Sequence, residues 1–256
     1  MIKDDLGNRM KENYENRAKT YLTRRTPVII RLDGKAFHTF TQGFAKPFDE
    51  VLANTMMRTM KYLCENIQGC VLGYTQSDEI TLVLVDYKSL NSEAWFDYSI
   101  QKICSIAASM ATYAFNRIFE KEHMQWRLNK QDSPVVSAHE RSLMRGALFD
   151  ARCFNIPKEE VTNCLIWRQQ DATRNSIQMV AQANFSHKEL QGLNTSQLQE
   201  LLFTEKNINW NDFPTRYRRG SCCVYVEGEG WSVDQDIPKF TEDRGYVNDR
   251  IYYKEE

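Results

Sequence analysis

Two apolar runs that each stop at a carboxylate constrain this chain more than any other feature. Val28-Ile29-Ile30-Arg31-Leu32 runs into Asp33-Gly34, and the apolar stretch 71–85 is broken at Ser77-Asp78-Glu79. The first reads as a buried strand over 28–33 ending in a sharp turn, because glycine accepts backbone angles that other residues resist. The second reads as strands over 71–76 and 80–86 meeting at a turn, since Asp and Glu are depleted within strands. Either turn alone is compatible with an ordinary surface bend. Together they set acids at strand ends, where isolated carboxylates are expensive unless paired or bound to a metal.

The elements around these runs suggest how the two acids meet. A charged helix is expected over 4–25, with Leu6, Met10 and Tyr14 at spacing four. Arg24-Arg25 then reads as a solvated helix end or a phosphate contact. An amphipathic helix over 49–66 carries Val51, Leu52, Met56, Met60 and Leu63 on one stripe. A long helix follows over 92–120, then an irregular insert over 121–145 and a strand over 148–155. The order is β-α-β-β-α-β, the split arrangement in which strand one lies beside strand three with helices on one face. The fold class is α+β: a βαββαβ (ferredoxin-like) core over 1–157 with a mostly helical, RNA-contacting extension over 158–256. Within the extension, helices are expected over 158–185 and 195–206 and a strand over 221–226, and 231–256 reads as a charged, aromatic tail.

Composition excludes some classes. The 256 residues are 42% hydrophobic with a net charge of −1, so the chain can build a core and any basic surface must be local. Seven cysteines form no C-x-x-C pair and read as free thiols of a reducing compartment. No apolar run approaches a membrane span and the N-terminal residues are highly charged, so a cytoplasmic protein is expected.

The chemistry suggested is two-metal phosphoryl transfer. Asp33, Asp78 and Glu79 are the candidate catalytic acids; Asp33 and Asp78 are the candidate metal ligands, with the Gly34 carbonyl as a third oxygen and Glu79 as an outer partner or ligand. The backbone of Asp33, Gly34, Lys35, Ala36, Phe37 and His38, together with Ser77, would hold phosphates, and Lys46 would neutralise a triphosphate. His38 could bond a phosphate or sugar, or be structural. Arg168, Arg174, Arg216, Arg218 and Arg219 could track an RNA backbone. An RNA-binding module shares this element order, but it stacks bases on aromatics of its central strands. The runs 28–33 and 80–86 carry none. A palm-fold nucleotide cyclase is a further alternative, against which the long extension weighs.

Several stretches, in order, resemble the tRNA(His) guanylyltransferase family, in its broader guanylyltransferase-like branch. They are Arg31-Leu-Asp-Gly-Lys-Ala-Phe-His38, Phe44-Ala-Lys-Pro47, Tyr74-Thr-Gln-Ser-Asp-Glu79, Phe149-Asp-Ala-Arg152, Trp167-Arg-Gln-Gln-Asp171, Phe203-Thr-Glu-Lys-Asn-Ile-Asn-Trp210 and Tyr217-Arg-Arg-Gly220. The resemblance implies a palm-like core running 3′–5′: ATP activates a 5′-monophosphate, GTP or another NTP is then added to tRNA, and two Mg²⁺ ions serve both steps. By motif match Asp33, Gly34 and Asp78 would bind metal, and Glu79 matches an acid the family needs. A homotetramer is implied as well. Strict tRNA(His) enzymes carry a His-Ile-Asn-Asn-Leu-Tyr-Asn-Thr block where this chain has Thr173-Arg-Asn-Ser-Ile-Gln-Met-Val180, of which only Asn175 matches. The departure favours template-dependent repair of 5′-truncated tRNA over obligatory untemplated G addition.

Overall fold

The computed structural model describes residues 4–128, 130 and 133–253. At its centre is β1 (Val28–Gly34), flanked on both sides by antiparallel partners. Before it, helix α1 (Asp5–Met10) continues through a π turn and a 3₁₀ turn that end at Ala18, with no residue buried. The helix expected over 4–25 is therefore shorter, because it has no apolar face to anchor it.

After β1 come the short helix α2 (Phe37–Phe40) and α3 (Glu50–Asn66). Asp49 caps α3, accepting from the Leu52 amide at 2.9 Å. Strands β2 (Cys70–Gln76) and β3 (Glu79–Leu84) form the hairpin around Ser77-Asp78. Helix α4 (Ile100–Arg127) starts later and runs further than expected, and α5 (Pro134–Arg145) follows it. The stretch read as irregular is thus largely helical, although residues 129, 131 and 132 lie outside the described residues. Ser133 caps α5 and Pro134 opens it, a start signal that the weakly apolar period of the segment concealed. Strand β4 (Phe149–Asn155) closes the first half.

The second half opens with α6 (Lys158–Asn184), α7 (His187–Leu190), α8 (Thr195–Lys206) and α9 (Thr215–Arg219). Strands β5 (Ser221–Val226) and β6 (Gly230–Asp234) then join the same sheet, whose order is β4-β1-β3-β2-β5-β6. The β6 hairpin was hidden in the Glu227-Gly-Glu-Gly230 stretch, whose polar residues gave no strand period.

Both faces of the sheet are covered, where helices on one face were expected. Val28, Ile30, Leu32, Ile80, Leu82 and Leu84 pack with α3 and α4 residues such as Met60, Leu63, Ala107 and Phe115. The alternate residues Ile29, Leu72, Tyr74 and Val83 pack under Val161 and Leu165 of α6 and under Ile237, Phe240, Val247 and Ile251 of the C-terminal segment. Period-two alternation assigns these sets to opposite faces. A third cluster joins α6 to α8 through Ile177, Val180, Leu198, Leu202 and Trp210. Each fully buried Leu or Ile contributes about 1.5–3 kcal/mol of burial free energy. All seven cysteines are free thiols.

Candidate functional site

Two strained turns meet at one end of the sheet. β1 leaves the sheet through Ala36, whose φ of 54° is left-handed, and the β2–β3 turn has Ser77 at φ 49°. Left-handed backbone at residues bearing a Cβ costs roughly 1 kcal/mol each, and such strain concentrates where geometry serves a site. The turns are fastened together: the Gly34 amide donates to the Asp78 carbonyl at 3.1 Å, and the Lys35 amide donates to the Leu148 carbonyl at 2.9 Å. Thr75 Oγ1 donates to the Glu79 carbonyl at 2.8 Å, closing the hairpin. A Cβ on Gly34 would stand 2.2 Å from the Phe37 ring, so only glycine fits there.

Strand register then lines up the acids. Asp33 stands opposite Glu79 on β3 and opposite Asp150 on β4, so three carboxylates share one face at neighbouring strand ends. Like charges directly opposite repel. Two of the three are neutralised within the chain. Glu79 is buried and takes a two-pronged bond from Arg168, Nε to Oε1 at 2.7 Å and Nη2 to Oε2 at 2.9 Å. Asp150 pairs with Arg152 at 3.1 Å. For Asp33 and Asp78 no basic partner exists among the described residues. Burial pushes the Asp78 carboxyl above its ordinary range, and Asp33 pushes the same way.

This donor set suits a hard cation. Among the described residues no group of three or more His, Cys, Asp or Glu forms a metal cage. Two unpaired carboxylates beside peptide carbonyls instead match Mg²⁺, which takes one or two carboxylates and completes its shell with water and phosphate oxygens.

A cleft opens beside the turns. One groove, of ≈ 970 Å³ including its open mouth, is lined by Phe37, His38, Lys46, Asp49, Ser77 and Asp78 among others. Asp49, Leu52, Ser77 and Met179 also line an adjoining hollow bounded by Phe48, Asn175, Arg216 and Tyr217. The Phe48 and Tyr217 rings stack 4.7 Å apart. The α9 segment is held to this place by Tyr74, whose hydroxyl donates to the Arg219 carbonyl at 2.7 Å.

The structure thus brings His38, Lys46, Ser77, Asp78 and the Phe37 ring to one groove and sets the turn 33–36 against it. Phe37 also belongs to the core, 5.3 Å from Phe149 and 5.4 Å from Phe115. The arginines divide. Arg168 corrects the expectation of a nucleic-acid contact: it is buried and held by Glu79 and Asp171, so its guanidinium faces inward. Arg174 is exposed and paired with Asp171 at 2.8 Å. Arg216 lies in the cleft, bonded to Asn54 at 3.3 Å and Gln235 at 3.1 Å. The Nε atoms of Arg218 and Arg219 are buried with no hydrogen-bond partner among the described residues. Burial and Arg219 lower the affinity of Arg218 for its proton. Arg24 and Arg25 lie away from this end, bound to Asp86. Sequence reading missed Asp150, Asp49 and the Phe48–Tyr217 stack. Asp150 stood in the matching stretch 149–152 without a role until the register set it opposite Asp33, and Asp49 was read simply as a helix start.

Known proteins are similar to this chain in sequence and fold. A family model described as "Thg1: tRNAHis guanylyltransferase" matches residues 7–157. A mouse "Probable tRNA(His) guanylyltransferase" is 29% identical over 215 residues, 79% of this chain and 65% of that protein. A bacterial tRNA(His) guanylyltransferase (Thg1)-like protein solved in complex with ATP superposes with a TM-score of 0.84 at 46% identity, covering 96% of this chain and 99% of that one. A bacterial Thg1-like protein in complex with GTP gives 0.79 at 41% identity, covering 97% and 100%.

Proposed function

This chain belongs to the tRNA(His) guanylyltransferase family, a family of nucleotidyltransferases, and from that premise we propose that it extends tRNA at the 5′ end in the 3′–5′ direction. The observation that carries the reading is the pair Asp33 and Asp78: two carboxylates without a basic partner among the described residues, their turns tied through the Gly34 amide, with Asp78 lining a groove that also holds Lys46 and His38. The relatives solved with ATP and with GTP support a nucleotide as ligand of this chain, and we assign it to that groove. The β4-β1-β3-β2 order supports a palm-like core over 1–157, with 158–256 as the RNA-contacting part.

In this reading Asp33, the Gly34 carbonyl and Asp78 would hold two Mg²⁺ ions. When bound, these would neutralise triphosphate charge and make the attacking hydroxyl more acidic. The chain's own groups position the rest. Lys46 meets the triphosphate as a point charge. Ser77 and the backbone of 36–38 present donors to phosphate oxygens, the Gly34 and Lys35 amides being engaged by the Asp78 and Leu148 carbonyls, and His38 bonds a phosphate or sugar. Glu79, bound to Arg168, anchors α6 to the hairpin that aims Asp78. Arg174, Arg216, Arg218 and Arg219 bring positive charge toward the RNA backbone.

Template-dependent repair of 5′-truncated tRNA is the activity we favour over untemplated G addition. The divergent run 173–180 supplies Ser176 and Met179 to the cleft wall beside the matching Asn175, so its replacement changes the surface that meets the substrates. Watson–Crick pairing with the opposite strand would then choose the NTP, and the protein would read tRNA shape and end position. The assembly we expect is a homotetramer in the cytoplasm.

The test is an extension assay with Mg²⁺, ATP and single NTPs on 5′-monophosphorylated tRNAs, one lacking its first nucleotide and one an intact tRNA(His). Addition that follows the opposing base supports repair. G added only to tRNA(His), whatever the opposing base, supports strict guanylyl transfer. No addition to either tRNA overturns the tRNA-extension reading.

A further inference from the structure

Helix α5 touches the groove nowhere, yet it holds much of the loop that forms one groove wall. His139, fully buried, meets Asp49 Oδ2 through Nε2 at 2.9 Å. The same carboxylate accepts from the Ala45 amide at 3.1 Å and caps α3 at Leu52. The Phe44 ring packs edge-on against the His139 ring, centroids 4.5 Å apart. One turn further on, Ser142 donates to the Phe40 carbonyl, and Arg145 donates to the Thr39 carbonyl at 3.0 Å. Three residues of one helix thus fix Thr39, Phe40, Phe44 and Asp49, and the segment between them carries Lys46 and Pro47 into the groove.

The histidine chemistry is specific. A carboxylate only accepts, so His139 must donate from Nε2. Its Nδ1 faces His123 Nδ1 on α4 at 3.3 Å, and in a neutral pair one of these nitrogens donates and the other accepts. Burial and the neighbouring His139 hold His123 below the ordinary imidazole range, in keeping with a neutral pair. Without the His139 donor, the buried Asp49 carboxylate lacks one of its three partners, and movement of the loop toward solvent relieves that loss.

We propose that α5 is the positioning element of the nucleotide-facing loop, with His139 acting through Asp49 to hold Ala45, Lys46 and Pro47 in place. This rests on the nucleotide reading of the groove, and the test separates the two. In the full chain, His139→Phe keeps the ring volume and removes the donor, whereas His139→Gln returns an N–H near the Nε2 position. Ser142→Ala removes a second brace without touching Asp49. Two quantities are measured: hydrogen exchange at the Ala45 and Leu52 amides, and the Kd, KM and kcat for Mg·ATP and Mg·GTP.

The expected result for His139→Phe is faster exchange at both amides and nucleotide KM and Kd raised roughly tenfold, equivalent to about 1.4 kcal/mol, at little-changed kcat. His139→Gln should restore both quantities, and Ser142→Ala should move them the same way by less. A folded His139→Phe protein with wild-type exchange at Ala45 and Leu52 overturns the proposal whether or not nucleotide binds. Faster exchange with unchanged KM and Kd overturns the link to nucleotide binding. A wild-type protein that binds neither nucleotide overturns the reading of the groove instead, while the exchange result still decides the role of α5.

Discussion

β3 carries an aspartate just beyond each of its ends, and the two have opposite surroundings. Beyond the last residue, Asp86 is fully buried and saturated: Arg24 Nε reaches it at 2.7 Å and the Arg25 amide at 2.9 and 3.1 Å. Before the first, Asp78 is partly buried beside Asp33 with no basic group among the described residues to answer either. Burial raises the free energy of any bare carboxylate. One end meets that demand with an arginine, which makes it structural. The other leaves it unmet, as a site for a cation from solution requires. A neutralised acid holds the fold, and the unneutralised pair at strand ends is where we propose that the chemistry takes place.

The largest effects should fall where the acids are unpaired. Asp33→Asn and Asp78→Asn should each lower 5′ extension by at least roughly 10²–10³-fold while the melting temperature does not fall. Asp86→Asn should do the reverse, losing about 3 kcal/mol of stability with the donors left facing it and keeping kcat in the folded fraction. Equal loss of activity in all three at equal stability would erase the contrast between the two ends.

Glu79 sharpens the contrast, because it sits beside the unpaired acids yet resembles Asp86. Arg168→Met should destabilise by about 3 kcal/mol through the stranded Glu79 charge, and adding Glu79→Leu should recover most of that. Thermal unfolding of the two variants measures it. No recovery in the double variant would mean that the pair is not what holds α6 to the hairpin. Gly34→Ala should follow with a loss of about 1–3 kcal/mol, since the added Cβ meets the Phe37 ring, and extension should fall with it as the turn shifts. A Gly34→Ala protein of wild-type stability and rate would show that the turn has slack.

The smallest effect concerns pH. The folded state raises the Asp78 carboxyl above its unfolded value, so ionised Asp78 destabilises the metal-free fold at neutral pH. That penalty disappears as pH falls through the raised value, and it is gone below the unfolded value of about 3.9. Asp78→Asn should therefore melt slightly higher than wild type at pH 7, with the gap closing in acid and also closing when Mg²⁺ is added to the wild type. A variant melting lower at pH 7 would contradict the assignment.

The strands and the acids at their ends were legible because alternation and turn chemistry are local. The strand expected over 28–33 is β1, and the turn at Ser77-Asp78 sits where the depletion of acids in strands puts it. The partners of those acids were not legible. Arg24 and Asp86 lie 62 residues apart and Arg168 and Glu79 lie 89 apart, so each pair exists only once strands and α6 are docked. Arg24 therefore read as a helix end or a phosphate contact, and Arg168 as an RNA contact, from charge alone. α5 was hidden for a related reason: its buried face includes His139 and Ser142, polar residues whose partners lie in the loop 39–49.

The central claim is that Asp33 and Asp78 remain unneutralised in order to hold a divalent cation with a nucleotide. Isothermal titration of ATP into wild type and Asp78→Asn, each with and without Mg²⁺, tests it most directly. The account predicts wild-type binding that strengthens markedly with Mg²⁺, and an Asp78→Asn protein that melts no lower than wild type and in which that strengthening is lost. Equal Mg²⁺-dependent binding in both proteins would contradict it.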